Sequence, residues 1–262
     1  MEPELEMAQQ AAREAGALLL RLRQGELAVR SKADRTLVTE ADLAAEQLLL
    51  DRIRAAFPQD GVLAEESGES GAGAPRTWIV DPLDGTTNFA QGLPYFAVSL
   101  ALWEGDDPAL GVVYLPVLDE LFTATRVGPA RLNGREIHVS DRDSVSEAMV
   151  NVYFDRRNLL EPGLALFCRI ARACEGRVKT LGSTASLLCY VAAGRLDAYL
   201  RNRTRRWDFA AGGLILERAG GRLSDFAGAP LRESGQSLLA TNGRLHAALR
   251  SLAGEEGENG CL

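Results

Sequence analysis

Histidine is scarce in this chain of 262 residues. Only His138 and His246 occur, so a histidine-based triad or a histidine zinc site has little material. The four cysteines, Cys168, Cys174, Cys189 and Cys261, show no CxxC spacing and lie in apolar helical contexts or in the tail. They read as reduced packing residues, which excludes a zinc or disulfide set. Long apolar runs are also missing, and without one of about 18 residues no membrane span is expected. The amino end, MEPELEMAQQ, is acidic where a signal or transit peptide would be basic, so the cytoplasm is the expected compartment. Net positive charge is absent too: the formal charge is −7, which disfavours general nucleic-acid binding, because duplex affinity comes mainly from cations on phosphates.

What remains is an ordinary soluble composition, long enough for one domain or two tightly joined halves, in which carboxylates must carry any chemistry. Residues Trp78 to Phe89 read WIVDPLDGTTNF. The run Trp78, Ile79, Val80 has strand character, and Pro82 and Gly85 then bend the chain. Asp81 and Asp84 are thus held at a strand end, beside the backbone donors of Gly85, Thr86 and Thr87. Hard oxygen ligands in such a place suit Mg²⁺, which takes a few carboxylates and completes its shell with water and substrate phosphate. If a helix starts here, the N–H groups of Gly85 and Thr86 face the same anion. The plainer alternative is an Asp-Gly turn with no ligand.

Along the chain, Pro3 with Glu2 and Glu4 opens a helix to about Arg23, and a second helix is expected over Glu40 to Ala56, stopped by Pro58. A polar loop with Lys32 and Asp34 lies between them. Val62 to Ala64 reads as a short strand delivering Glu65, and Ser67 to Pro75 as a loop. Strands Phe96 to Trp103, Ala109 to Tyr114 and Leu121 to Arg126 form a meander. The second half alternates: strands near Ala148 to Tyr153, Val178 to Leu181 and Asp197 to Leu200, and helices Leu164 to Cys174, Ser183 to Ala193 and Trp207 to Ala219, the last closed by Gly220 and Gly221. Layered α and β elements follow for both halves, an α/β (α+β) class. The expected division is residues 1–145, 146–254 and a disordered tail, 255–262.

DPLDGTTNF resembles the signature of the inositol monophosphatase family, Mg²⁺-dependent and lithium-sensitive phosphomonoesterases. Leu63 to Ser67 resembles the family's upstream glutamate motif, Trp207 to Gly212 its second signature, and Thr39 to Asp42 a further amino-terminal segment. The pieces keep the family's order and spacing. The resemblance implies an αβαβα five-layer sandwich of the inositol monophosphatase and fructose-1,6-bisphosphatase type, two or three Mg²⁺ ions per site, and a homodimer. By the same resemblance, Glu65, Asp81 and the Leu83 carbonyl hold one ion, and Asp81, Asp84 and Asp208 a second, with a third, weaker ion near Glu65. One ion would lower the pKa of a water and another stabilise the leaving alkoxide. Thr86 would orient the nucleophilic water, Asp42 would bond Thr86, and Glu65 would accept the water's proton. Gly182, Ser183 and Thr184 match the substrate-facing turn, and Lys32 a basic residue on the family's mobile loop.

Each match has a plain structural reading beside it. Asp42 and Asp208 are acids in helix first turns, favoured by the macrodipole. Ser183 or Thr184 is a helix cap. Lys32 is a surface lysine. One position departs from the pattern: where inositol-selective members commonly carry a glutamate, seven residues before Asp208, this chain has Arg201, the first of the run Arg201-Asn202-Arg203-Thr204-Arg205-Arg206. A cation cannot accept hydroxyl hydrogen bonds. The run is either a solvated loop or a means of recognising a second negative group. The expected reaction is hydrolysis of a small phosphomonoester without a phosphoenzyme. Inositol monophosphate or a related sugar or polyol phosphate is the expected substrate. Fructose 1,6-bisphosphate, 3′-phosphoadenosine 5′-phosphate and histidinol phosphate are the alternatives. A role as an interaction protein in transcription antitermination, known for a bacterial family member, is the alternative of another class.

Overall fold

A computed structural model describes residues 1–24, 29–31, 37–154 and 160–254. The chain divides into two compact units, each with its own apolar core. The first takes Met1–Glu136 together with two short later segments, Gly182–Ser186 and Trp207–Ile215; the second takes Ile137–Leu181, Leu187–Arg206 and the chain from Leu216 onward.

In the first unit, helix α1 (Glu2–Leu22) starts with a proline and acids in its first turn, and buries Ala8, Ala12, Ala15 and Leu19. Strands β1 (Val29–Ser31) and β2 (Leu37–Thr39) pair antiparallel, and helix α2 (Glu40–Ala56) follows directly. Lys32 lies outside the described residues. Next come β3 (Gly61–Ala64), β4 (Gly68–Ser70), β5 (Arg76–Asp84), the short helix α3 (Thr86–Ala90), and β6 (Ala97–Glu104), β7 (Asp107–Leu115), β8 (Glu120–Thr125), β9 (Arg131–Leu132) and β10 (Arg135–Glu136). The strands form one sheet in the order β10-β9-β8-β7-β6-β5-β3-β4. Within it β3 and β5 run parallel and every other pair antiparallel. The segment Ser67 to Pro75, expected as a loop, contains strand β4, which pairs back on β3.

The remaining elements follow in the order β11 (Val150–Tyr153), α4 (Leu160–Ala173), β12 (Val178–Lys179), α5 (Thr184–Ala192), β13 (Ala198–Arg201), α6 (Arg206–Arg218), β14 (Arg222–Ser224), β15 (Leu238–Thr241) and α7 (His246–Gly254), and all lie in the second unit except the start of α5, to Ser186, and Trp207–Ile215 of α6, which belong to the first. Their sheet runs β12-β11-β13-β15-β14. The strand expected to reach Leu181 stops at Lys179, at the sheet edge. There the Asn151 side chain takes over from the ladder, accepting the Leu181 N–H (2.9 Å) and donating to its carbonyl (3.2 Å). Strands β14 and β15 and helix α7 lie where sequence periodicity predicts nothing, because a three-residue strand and a short apolar run carry no readable period. Cys174 and Cys189 are free and buried, as expected. Cys168 departs from that reading: it is disulfide-bonded. The class is mixed α/β, as the sequence implied, and among the described residues no helix is long and apolar enough to cross a membrane.

His246, at the start of α7, is 1% exposed and lies between two hydroxyls, Ser224 Oγ at 2.9 Å from Nε2 and Thr241 Oγ1 at 3.0 Å from Nδ1. Burial first, then Arg222 and Arg250, push its pKa down to about 4. A folded value below the unfolded one, about 6.5, means this stability is present above the unfolded pKa and drains away as pH falls toward the folded value. The expected slope reaches about 1.4 kcal/mol per pH unit in that window. Urea midpoints from pH 7.5 to pH 4.5 check it: a His246→Gln variant with the same slope as the parent would remove His246 as the source.

Candidate metal centre

The pair Asp81 and Asp84 depends on a defect in strand β5. In a regular strand, residues three apart point to opposite faces. Here Asp81 pairs with Ser99 and Asp84 with Ala97, so β5 holds one more residue than β6 between those two pairings, and the bulge includes Pro82. The extra residue resets the alternation, and a proline is tolerated there because it has no N–H to offer the ladder. The bend expected at Pro82 is thus a bulge within a strand that continues to Asp84. Gly85 then makes the turn, with φ 102°. A Cβ at that position would also sit 2.9 Å from the Tyr95 carbonyl and 3.1 Å from Ser183 Cβ, so only glycine fits.

Asp208 joins them from the first turn of α6. Asp81, Asp84 and Asp208 are all buried, and each offers a carboxylate oxygen within 4.8 Å of the others. Burial first, then the charges of Glu65, Asp84 and Asp208 and a hydrogen bond with Glu65, raise the Asp81 carboxyl well above the usual carboxylate range. Glu65 therefore stands beside Asp81. Its own backbone N–H donates to the Val80 carbonyl at 3.1 Å, which sets the end of β3 against β5 one residue before Asp81. Buried carboxylates in such number repel, and the arrangement is relieved either by protonation or by a hard multivalent cation. The donor set fits such an ion: all oxygen, mostly carboxylate, and fixed by backbone, Asp81 and Asp84 on β5 and Asp208 on α6.

The surrounding residues fall into two groups. Asp42 and Thr86 are brought together: the Thr86 hydroxyl lies 2.9 Å from Asp42 Oδ1 and 3.2 Å from the Leu83 carbonyl. Asp42 Oδ2 accepts the Thr39 N–H (2.7 Å) and hydroxyl (2.6 Å), closing a capping box at the start of α2. The first-turn role and the bond to Thr86 are thus carried by different oxygens of one carboxylate. On the other side, Asp84 Oδ2 accepts the Ser183 hydroxyl at 2.7 Å and the Ala185 N–H at 2.5 Å. Ser183 and Thr184 are each 2% exposed, and Ser183 Oγ stands 2.7 Å from Ser186 Oγ at the start of α5. Ser183 is therefore a helix cap and a partner of Asp84 at once. The Gly182 carbonyl accepts the Asn88 side-chain amide at 3.2 Å, tying α3 to this turn.

Arg201 ends β13 in the second unit, its guanidinium 5.4 Å from the centre of the Tyr153 ring. Thr204, inside the arginine run, is pinned through its N–H (2.9 Å) and hydroxyl (3.1 Å) to the Gln236 carbonyl. Two residues that sequence reasoning passed over belong to the frame of the site, Glu46 and Asn88. Glu46 was detectable: it lies four residues after Asp42 on a helix face otherwise made of Ala41, Ala45, Leu49 and Ile53, where an acid is out of place. Asn88 carried no such signal.

Comparison with known proteins gives the family. The model of the inositol monophosphatase family matches residues 1–258. The chain is 41% identical over 236 residues to Nus factor SuhB of Pseudomonas aeruginosa, covering 87% of each. It is 43% identical over 216 residues to the inositol-1-monophosphatase of Synechocystis sp., covering 81% of this chain and 75% of that protein. Among solved structures, the extragenic suppressor protein suhB of Bartonella henselae superposes with a TM-score of 0.93 at 33% identity, over 97% of this chain and all of that one.

Proposed function

Because the chain belongs to the inositol monophosphatase family, we propose that it is a Mg²⁺-dependent phosphatase acting on a small phosphomonoester, inositol monophosphate or a related sugar or polyol phosphate. One observation carries this reading: three buried carboxylates, two on β5 and one on α6, converge within 4.8 Å, with Glu65 beside Asp81. Asp81, Asp84 and Asp208, with Glu65 and the Leu83 carbonyl, would hold the metal. Bound there, Mg²⁺ supplies electrophilic stabilisation of phosphoryl oxygens and acidifies water. The chain's own part is positional. Thr86, its hydroxyl proton directed to Asp42, presents a lone pair that can orient a water, and Glu65 can take that water's proton. The N–H groups of Gly85 and Thr86 offer donors to the phosphate. A homodimer in the cytoplasm is part of the same proposal, the dimer being read by light scattering.

A panel of phosphomonoesters assayed with and without Mg²⁺ tests it. Hydrolysis is expected only with Mg²⁺, and lithium is expected to inhibit by competing for the Asp81, Asp84 and Asp208 carboxylates. Full Mg²⁺ dependence with indifference to lithium would discard the lithium part, and no turnover of any substrate would discard the enzyme.

Arg201 bears on which phosphoester is used. A guanidinium there favours substrates with a second negative group, such as fructose 1,6-bisphosphate or 3′-phosphoadenosine 5′-phosphate; histidinol phosphate, whose other ionisable groups are basic, gains nothing from it. Replacing it by glutamate, Arg201→Glu, should lower kcat/KM for the bisphosphate by roughly tenfold or more, equivalent to a charged hydrogen bond, and leave inositol 1-phosphate unchanged or improved. An unchanged ratio would take Arg201 out of substrate recognition.

A second reading has one observation in its favour, the relative named a Nus factor: a role as an interaction protein in transcription antitermination. Complementation of a deletion strain separates the two. Rescue by an Asp81→Asn protein without turnover would favour the binding role, and failure of that variant beside a rescuing parent would favour catalysis.

A further inference from the structure

Helix α2 carries two buried acids one turn apart. Asp42 is bonded to Thr86, on the α3 side of the carboxylate cluster. Glu46, 4% exposed, uses both its oxygens on backbone: Oε2 accepts the Glu66 N–H and Oε1 the Ser67 N–H, each at 2.8 Å. Ala45, Leu49 and Leu50 surround it in sequence and are buried, so the position faces the core. A carboxylate is costly in such a place unless its bonds are made. Both bonds end on the two residues that follow Glu65. With the Glu65 N–H held by the Val80 carbonyl at 3.1 Å, the backbone of Glu65 is tied on its amino side to the strand of Asp81 and on its carboxyl side to α2.

We infer that Glu46 is a positioning residue of the metal centre: by clamping the N–H groups of Glu66 and Ser67 it sets where the Glu65 carboxylate stands beside Asp81. The inference rests on the metal-centre reading above. It makes α2 a common ruler, with Asp42 and Glu46 a helical turn apart registering the α3 side and the Glu65 side of one site. Outer partners of this kind orient the groups that touch the ion, and their loss typically weakens metal binding ten- to a hundredfold. In Glu46→Gln, one oxygen still accepts, but the new amide group meets the second backbone N–H donor to donor, so one clamp is lost and repulsion replaces it.

Calorimetric titration of the purified, substrate-free protein with Mg²⁺ reads the effect without turnover. Glu46→Gln should weaken Mg²⁺ about tenfold, and Glu46→Asp, which keeps the charge on a shorter arm, should fall between it and the parent. Leu49→Ala, on the same buried face, is the control: it should lower the melting temperature and leave the Mg²⁺ constant unchanged. Parental affinity in Glu46→Gln, or an equal weakening in Leu49→Ala, would overturn the inference. Should Glu46→Gln fail to fold, parental affinity in Glu46→Asp would do the same. If Asp81→Asn also binds Mg²⁺ like the parent, the metal centre itself is misassigned; if Asp81→Asn loses binding while both Glu46 variants keep it, the centre stands and only the role of Glu46 falls.

Discussion

Asp81→Asn is expected to lower kcat/KM on the preferred phosphomonoester by about a thousandfold or more, roughly 4 kcal/mol of transition-state stabilisation. No other carboxylate in the cluster is as central: Glu65, Asp84 and Asp208 each act on Asp81, which is 2% exposed. The same change should act in the opposite sense on the metal-free fold. Burial and three neighbouring carboxylates raise the Asp81 carboxyl well above its ordinary range. A folded value raised above the unfolded one means stability is present in acid and is lost as pH rises through the folded value. Asparagine carries no charge and escapes that loss. With metal chelated, the variant should therefore melt at or above the parent at pH 8, and with saturating Mg²⁺ the order should reverse. Near-normal turnover of the variant at saturating Mg²⁺ would sink the assignment of Asp81, and a chelated variant that melts well below the parent would show that the carboxylates are not crowded.

Gly111→Val should damage both stability and activity, although Gly111 is not a metal ligand. In the β-sheet of the first unit, Ala101, Gly111 and Ala124 lie abreast on three neighbouring strands. A Cβ at Gly111 would stand 2.6 Å from the carbonyl oxygen of Ala211 and 3.1 Å from its Cα. The obstacle is helix backbone, which cannot swing aside as a side-chain tip can. Ala211 lies three residues after Asp208 in the same helix. Making room therefore means moving the segment that carries a ligand. Overpacking of this sort costs about 3 kcal/mol. An ångström of displacement at a reacting site commonly costs on the order of a hundredfold in rate. Chemical denaturation and turnover measured on one preparation check both parts. Parental values in both would mean that the helix does not need its close approach to β7. A loss of stability with parental turnover would show that Asp208 is held by something other than this contact.

The acids themselves were legible from sequence because their chemistry is local. Asp81 and Asp84 follow an apolar strand and precede a turn, Asp208 opens an apolar helix, and the shortage of histidine and cysteine leaves carboxylates as the available ligands. Helix α2 was legible to its ends, since Thr39 caps it through its hydroxyl and Pro58 follows it. The elements that escaped were helix α7 and strands too short to show a period, β1, β2, β4, β14 and β15. The arginine run was visible, but its setting was not: only the folded chain shows Arg201 over Tyr153 and Thr204 pinned to Gln236.

While Glu65, Leu83 and Asp208 entered through the resemblance to a known family, composition and local pattern by themselves pointed to carboxylate chemistry, to Asp81 and Asp84 as candidate ligands and to most helices and strands. These depend on residue type and on the next few residues along the chain. Tertiary structure alone decided what those residues do to one another. A strand bulge at Pro82 turns two aspartates toward one site where a regular strand would part them. The turn after Glu65 closes on Glu46, about twenty residues earlier, and Asp84 caps a helix about a hundred residues later. Such pairings are settled by which backbone donors are left over once sheet and helix have formed, and a buried donor must find an acceptor wherever the fold brings one. No local window of sequence contains that information, because the donor and its acceptor are neighbours only in space.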